Sequence, residues 1–353
     1  MKMIGYKRGS SVDDAHALFD TTGAMPVPGP REVLVQVRAV GVNPLDTKVR
    51  AGRVTVADSV ASLGWDAAGV VHAVGSGVTL LAPGQAVYYA GSFDRTGANA
   101  EYHLVDERSA ARMPASLDFA QAAGVPLAAL TAWQLLFERF AIAPGDRQEG
   151  GSLLVLGGAG GVGSMLIQLA RQLTGLTVIA TASRSDSATW CRDLGAHHVI
   201  DHTLPLAAQV AALQAAPVHH IAALSHTARH AAALADIIAP HGKLAVIDDH
   251  AQFDAAPLKG KSVSLHWEMV FTRPLYGTPD MDEQQRILAR VASLLDEGVL
   301  RSTVRRQLSP INAATLLHAH ALLERGGQPG KIVVSGWQDG AVATRTARGA
   351  RSG

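Results

Sequence analysis

The sequence predicts an α/β protein with two domains, one β-rich and one built on a doubly wound parallel sheet. Roughly the first 120 residues contain short alternating runs between glycine and proline turns, which are typical of a compact β domain. From Ser152 onward, strand-like and helix-like segments alternate, which favours parallel strands covered by helices on both faces. The length of 353 residues also exceeds what one ordinary core holds.

The individual elements follow from the same patterns. In the first part we expect strands at 32–40, 68–74, 86–90 and 101–105. In the second part we expect helices at 119–124, 127–140, 187–194 and 228–238, and strands at 153–156, 177–181, 198–201, 221–224, 243–247 and 262–266. Two helices at 282–297 and 311–325 then precede a last strand at 331–335.

These elements divide the chain into a first domain over 1–125, a second over 126–268 and a return to the first over 269–336. The segment 337–353 is small, polar and basic, and is predicted to be a disordered tail.

The most informative stretch is 153–163, where a short apolar run ends in glycines and a helical pattern follows. The spacing Gly158-x-Gly160-x-x-Gly163 in this context indicates a dinucleotide-binding turn. The first glycine would permit the tight turn, the second the approach of a pyrophosphate and the third close packing of helix on strand. The expected phosphate-binding residues are Gly158, Ala159, Gly160, Gly161, Val162 and Gly163.

The end of the next strand predicts which dinucleotide binds. NAD-type folds place a carboxylate there for the ribose hydroxyl, but this strand runs into Ser183 and Arg184, with no acidic residue before Asp186. A guanidinium suits a phosphate. We therefore expect Arg184 and Ser183 to bind the 2′-phosphate of NADPH; the alternative is a solvated arginine at a helix start.

Composition and charge limit which partners, cellular location and cysteine-based sites are expected. A formal net charge of +1 gives no reason to expect nucleic acid or a membrane as a partner. No run of about 18 apolar residues predicts a membrane span, and the first residues lack the apolar core of a signal peptide, so a cytoplasmic location is expected. The single cysteine, Cys191, excludes an internal disulfide and a cysteine-rich zinc site.

Several segments together resemble the quinone oxidoreductase branch of the medium-chain dehydrogenase/reductases, over about residues 3–335. They are Gly41–Thr47, Gly64–Val71, Leu130–Trp133 and the glycine loop. Others are similar to the subgroup labelled zinc-type alcohol dehydrogenase-like proteins: Tyr88–Gly91, Asn99–Tyr102, Leu104–Arg108 and His266–Arg273. The resemblance implies a GroES-like catalytic domain, a Rossmann domain and a homodimer.

The residues depart from the zinc enzymes of that superfamily. The zinc branch has a cysteine where Asn43 lies and a Gly-His-Glu triplet where Gly64-Trp65-Asp66 lies. Because catalytic zinc needs three ligands from His, Cys and carboxylates, we expect no metal. Without a Lewis acid, the favoured reaction is reduction of a quinone or an α,β-unsaturated carbonyl by NADPH. A zinc-type alcohol dehydrogenase and a non-catalytic NADPH-binding protein are the alternatives.

The resemblance also suggests roles around the expected cleft between the domains. Asn43 is expected to donate to the substrate oxygen, with a turn-forming role as the equal alternative. Asp46 is expected to orient a neighbour or hold the loop, and Tyr89 to supply a phenol. Relatives often carry a tyrosine where this chain has Lys48. Trp65, Trp267 and Phe271 are expected to line the substrate pocket. Thr131 and Lys331 are expected to bind the cofactor.

Overall fold

The fold is organised by two large β-sheets. The computed structural model describes residues 1–145, 147, 150–249 and 252–337. Within these residues one sheet has seven strands, one has six, and a separate antiparallel pair joins β1 (Lys2–Tyr6) to β2 (Leu18–Thr22). No helix in the described part of the chain combines the length and apolar character that a membrane crossing requires.

The seven-stranded sheet is antiparallel except for one pair, β14 with β15. Its order is β14-β15-β3-β4-β5-β7, and β6 also pairs with β3. The strands, numbered along the chain, are β3 (Glu32–Val42), β4 (Asp66–Val74), β5 (Ala86–Ala90), β6 (Tyr102–Asp106), β7 (Ala110–Arg112), β14 (Val304–Leu308) and β15 (Lys331–Ser335). Residues from the last part of the chain therefore lie in the sheet that the first part builds.

The six-stranded sheet is parallel throughout, with the order β10-β9-β8-β11-β12-β13. The strands are β8 (Ser152–Leu156), β9 (Thr177–Thr181), β10 (His198–Ile200), β11 (Val218–Ala223), β12 (Ile238–Val246) and β13 (Ser264–Trp267). This is the order of a doubly wound dinucleotide fold, so the predicted fold class is confirmed. Every residue of β8 is buried, as expected for a central strand covered on both faces.

The helices cover both sheets. Those that follow strands of the parallel sheet are α4 (Gly161–Leu173), α5 (Ser185–Asp193), α6 (Leu206–Ala212) and α7 (Thr227–Ile237). The others are α1 (Pro44–Arg50), α2 (Phe119–Ala123), α3 (Pro126–Trp133), α8 (Thr272–Tyr276), α9 (Glu283–Asp296) and α10 (Ala313–Arg325). The α-helix expected to reach residue 140 stops at Trp133, and a π-helical segment continues over Gln134–Arg139.

Two contacts join the halves next to the glycine turn. The amide of Gly330 donates to the carbonyl of Ala159 at 2.8 Å, and Gly160 forms a parallel bridge with Gly330. A further contact joins the halves through side chains: Lys48 in α1 pairs with Asp249, which follows β12, at 2.7 Å. These contacts place the carboxyl ends of the parallel strands against the seven-stranded sheet.

The predicted tail needs one correction. Trp337 is part of the packed structure, since its indole N–H donates to the carbonyl of Val37 at 3.0 Å and its backbone bridges Ile311. An aromatic side chain that packs against the first domain is not part of a solvated tail. Residues 338–353 lie outside the described residues.

Candidate active site

The glycine turn is attached to the neighbouring strand β9. Thr181 Oγ1 accepts a hydrogen bond from the amide of Gly157 at 2.9 Å, and its carbonyl accepts from Gly158 at 3.2 Å. The turn therefore has a fixed position at the carboxyl end of the parallel sheet, where ligands bind in folds of this order.

The glycines of this turn have different structural roles. Gly157 has a φ of 88° and makes the tight turn, a role expected for Gly158. A Cβ on Gly158 would lie 2.8 Å from Ala180 Cβ, and one on Gly163 would lie 2.5 Å from the Gly157 carbonyl oxygen. Both positions require close packing.

Gly160 is open. A Cβ there would meet nothing closer than the Gly157 carbonyl oxygen at 3.6 Å. Gly160 also precedes α4, a 13-residue helix whose first N–H groups have no partner within the helix. Open space beside a helix start suits a pyrophosphate, so the turn from Gly158 through Gly163 fits a dinucleotide.

Ser183 and Arg184 follow β9 and are both exposed. The Arg184 guanidinium lies against Gly327, where a Cβ would overlap it. Gly327 has a φ of 77°, so glycine is favoured there for conformation as well as space. The residues before β15 therefore contact both the glycine turn and Arg184.

A buried polar cluster lies where β15, β3 and β4 meet. Lys331 begins β15, Asn43 follows β3 and Asp66 begins β4. The Lys331 ammonium donates to Asp66 Oδ2 at 2.8 Å and to Asn43 Oδ1, and the Asn43 amide donates to Asp66 Oδ2 at 3.3 Å. The side chains of Lys331 and Asp66 are 4% and 0% exposed, so solvent does not screen this pair.

Asp66 also positions the next helix. Its Oδ1 accepts from the amide of Leu127 at 3.1 Å, in the first turn of α3. Thr131 lies one turn later in that helix and donates to the Leu127 carbonyl. Burial raises the pKa of Asp66, while the Lys331 ammonium and the Leu127 amide oppose the rise.

Asp46 holds the backbone at Asn43 and at Gly64 in place. Its two carboxylate oxygens accept from the amides of Asn43 at 2.7 Å and Gly64 at 2.9 Å. Burial raises the pKa of Asp46 to about 7, with these two amides opposing the rise. This geometry supports the loop-holding role that the sequence suggested.

The expected substrate donors are engaged elsewhere. The Asn43 amide donates to Asp66 and to the Gly41 carbonyl, so it has no N–H left for an oxyanion. The Tyr89 hydroxyl lies 3.1 Å from His103 Nδ1 in a fully buried stack, and burial raises the pKa of Tyr89 above its usual range. Neither group is available to a substrate in this arrangement.

The expected pocket aromatics are also dispersed. Trp65 is 1% exposed and its indole N–H donates to the Arg95 carbonyl at 3.3 Å, so it packs in the core. Trp267 is 57% exposed on the edge strand β13. Phe271 is buried against Phe93, edge to face, with ring centroids 5.4 Å apart.

Lys48 is the functional candidate that sequence reasoning passed over. Its ammonium carries the cross-domain pair with Asp249, and its side chain is 31% exposed. The absence of the relatives' tyrosine at this position was the available signal. Its pairing partner is 201 residues away in the chain and only the fold reveals it.

Two family models match the chain. The alcohol dehydrogenase GroES-like domain matches residues 29–115, and the zinc-binding dehydrogenase model matches residues 194–334. The zinc-type alcohol dehydrogenase-like protein SAS2087 of Staphylococcus aureus strain MSSA476 is 35% identical over 337 residues, covering 95% of this chain and all of that protein. The chain belongs to the zinc-type alcohol dehydrogenase-like proteins. It is thus an oxidoreductase-family member of the medium-chain dehydrogenase/reductase superfamily, whose cofactor is a nicotinamide dinucleotide.

Two further comparisons place this zinc-type alcohol dehydrogenase-like chain. The crystal structure of "a putative zinc-dependent alcohol dehydrogenase protein" from Rhizobium etli CFN 42 is 50% identical, with a TM-score of 0.91 over 96% of this chain and 99% of that one. The chloroplastic NADPH-dependent alkenal/one oxidoreductase of Arabidopsis thaliana is 41% identical over 180 residues, which is 49% of this chain and 45% of that protein.

The donor set does not fit the zinc that the family label implies. Asn43 presents an amide, Trp65 is in the core, and the Asp66 carboxylate is paired with the Lys331 ammonium. In the described residues, no three His, Cys, Asp or Glu side chains converge as a metal-binding group. A site with one carboxylate that already holds an ammonium lacks the three ligands that catalytic zinc needs.

We expect Lys331→Met to destabilise the fold, because it leaves the Asp66 carboxylate buried without its cation. The expected loss is about 3–5 kcal/mol in the free energy of unfolding, measured by urea denaturation. Asp66→Asn combined with Lys331→Met removes both charges and should recover more than half of that loss. The control is Lys7→Met, since the Lys7 side chain is 66% exposed in its pair with Asp14; a loss as large as that of Lys331→Met would contradict the prediction.

Proposed function

We propose that this protein is an NADPH-dependent reductase that works without zinc and transfers hydride to a quinone or an α,β-unsaturated carbonyl. The observation that carries the proposal is the buried cluster in which the Lys331 ammonium bonds to Asn43 and Asp66, since Asn43 stands where the zinc enzymes of the superfamily have a cysteine. A metal-dependent alcohol dehydrogenase uses a Lewis acid to stabilise the alkoxide, and the side chains of this cluster are already bonded to one another.

The cofactor assignment is supported by residues at the carboxyl end of the parallel sheet. The turn from Gly158 through Gly163 would hold the pyrophosphate, and Ser183 with Arg184 would bind the 2′-phosphate. When bound, NADPH supplies a hydride to an electrophilic carbon. The name of the Arabidopsis relative, an NADPH-dependent alkenal/one oxidoreductase, is consistent with this choice.

The acceptor needs a hydrogen-bond donor where negative charge develops on its oxygen. With Asn43 and Tyr89 engaged, Lys48 is the donor we assign to this role. It lies in α1, two residues after Asp46, and its ammonium pairs with Asp249 of the other domain. An enone or quinone oxygen would replace the Asp249 carboxylate as the acceptor.

The first test is oxidation of NADPH at 340 nm with a small quinone and with an enone, after treatment with a chelator. We expect turnover to survive chelation and to favour NADPH over NADH. Loss of activity on chelation, restored by zinc, would favour the alcohol dehydrogenase interpretation. Tight NADPH binding without oxidation across a broad panel of acceptors would favour a non-catalytic protein.

Lys48→Met should lower kcat/KM for the acceptor by about 100-fold, the usual cost of removing one oxyanion donor. NADPH affinity should change less than about twofold, and Lys48→Arg should retain part of the activity because it keeps a charged donor. Arg53→Met, at an exposed position three residues beyond α1, is the control. Unchanged kcat/KM in Lys48→Met would place the donor elsewhere.

A homodimer is the second part of the proposal. Strand β13 is the edge of the parallel sheet, with Ser264 and Trp267 exposed, and Met269 and Tyr276 add exposed apolar surface beyond it. An exposed edge strand favours pairing with another chain. Sedimentation equilibrium should give twice the 36.9 kDa chain mass; a monomeric mass at micromolar concentration would contradict the proposal.

A further inference from the structure

Three histidines lie near one another at the carboxyl end of the parallel sheet, and one of them, His202, lies near Arg184. His202 follows β10, while His226 precedes α7 and His230 lies in its first turns. The rings of His202 and His230 meet edge to face, with centroids 6.4 Å apart and an interplanar angle of 85°. None of the three belongs to the glycine turn, so the fold brings a separate set of groups to this edge.

The cluster is surrounded mainly by positive charge. Arg184 after β9, Arg229 in α7 and His226 before α7 all electrostatically disfavour a positive charge on His202. Arg229, His202 and His226 disfavour a positive charge on His230 in the same way. Two carboxylates lie close by. Asp201, which opposes the shift at His202, accepts through Oδ1 from the backbone and hydroxyl of Thr203 at 2.8 Å, and Asp248 accepts from the amide of Thr227, next to His226, at 3.0 Å.

Two features indicate that this cluster is built for a ligand. His202 Nδ1 is buried and has no hydrogen-bond partner among the described residues. His226 has a φ of 55° and a ψ of 30°, a left-handed conformation that is uncommon outside glycine. Backbone strain of this kind occurs preferentially at binding sites. An unpartnered ring nitrogen beside two guanidinium groups suits an anion.

We infer that His202, His226 and His230 complete the 2′-phosphate site around Arg184, and that protonation of His202 and His230 makes the preference for NADPH over NADH increase as the pH falls. The inference rests on the proposed function, because it concerns the same cofactor. It adds histidines that titrate to a site for which the sequence predicts only the Arg184 guanidinium and the Ser183 hydroxyl.

The direction follows from linkage. Burial, followed for His230 by Arg229, holds the pKa of this histidine below its usual 6.5; burial likewise lowers the pKa of His202, although Asp201 opposes the shift. Both are therefore largely neutral in the free protein above pH 7. A phosphate dianion favours the charged ring, so binding of the 2′-phosphate takes up protons and strengthens as the pH falls. The phosphate itself has a pKa near 6 and acts in the opposite direction.

The experiment measures the Kd of NADPH and of NADH by fluorescence titration at pH 6.5, 7.25 and 8.0. In the wild-type protein the ratio Kd(NADH)/Kd(NADPH) should rise about tenfold from pH 8.0 to 6.5, as uptake of one proton allows up to tenfold per pH unit. In the triple variant His202→Asn, His226→Asn, His230→Asn the ratio should stay flat or fall towards pH 6.5. Asparagine is chosen because it tolerates the left-handed backbone of position 226.

His241→Asn is the matched control. His241 is exposed, also has a positive φ, at 61°, and lies in β12 between the two positions, Ile238 and Lys243, where β12 pairs with β11. Its replacement should leave the wild-type pH dependence intact. NADH affinity equal to that of the wild type in every variant would show that the fold is preserved.

Arg184→Ala separates this inference from the proposed function. It should weaken NADPH at every pH and leave NADH nearly unchanged. A strong NADPH preference that does not vary with pH, or that varies equally in the triple variant, would overturn the histidine inference and leave the cofactor assignment standing. A ratio near 1 at every pH, unaffected by Arg184→Ala, would overturn the cofactor assignment and with it the inference.

Discussion

The buried pair between Lys331 and Asp66 is the interaction on which the site depends. Through it the strand β15 is joined to β3 and β4, and the same carboxylate holds the start of α3 through the amide of Leu127. An ion pair without solvent is costly unless its remaining hydrogen-bonding capacity is used. Here Asn43 accepts from the ammonium and donates to the carboxylate, so one cluster satisfies three polar side chains and fixes the position of three strands.

That cluster also bears on the proposed reaction. The Lys331 ammonium already bonds to both Asn43 and Asp66, so the proposal assigns the oxyanion donor to another side chain. Lys48 is proposed because its ammonium is partly exposed and pairs with a carboxylate from the other domain. The two lysines thus differ in their surroundings, since Lys331 is buried and Lys48 is partly exposed.

The parallel sheet could be predicted from sequence because its signals are local. The apolar run of β8, the glycine turn and the periodicity of α4 follow one another in the chain. The polar edge strand β14, with Arg305, Arg306 and Gln307 exposed, carries no such pattern and was missed. At the site, the types of residue were informative but their partners were not. The sequence predicts a substrate-facing Asn43, but its side chain bonds to Lys331, 288 residues later. That partner could not be predicted, because it depends on the order of the strands in the sheet.

The segment before β15 gives the molecule a temporal order of assembly. Gly327 packs on Arg184, Gly330 bonds to the glycine turn and Lys331 neutralises Asp66, so one short segment near position 330 completes three distant parts of the site. Ribosomal synthesis delivers this segment after β1 to β13, which include every strand of the parallel sheet. Until it emerges, Asp66 lies in the growing first domain without its counter-ion. The nascent chain therefore cannot reach the final arrangement of these residues until most of its length has been translated.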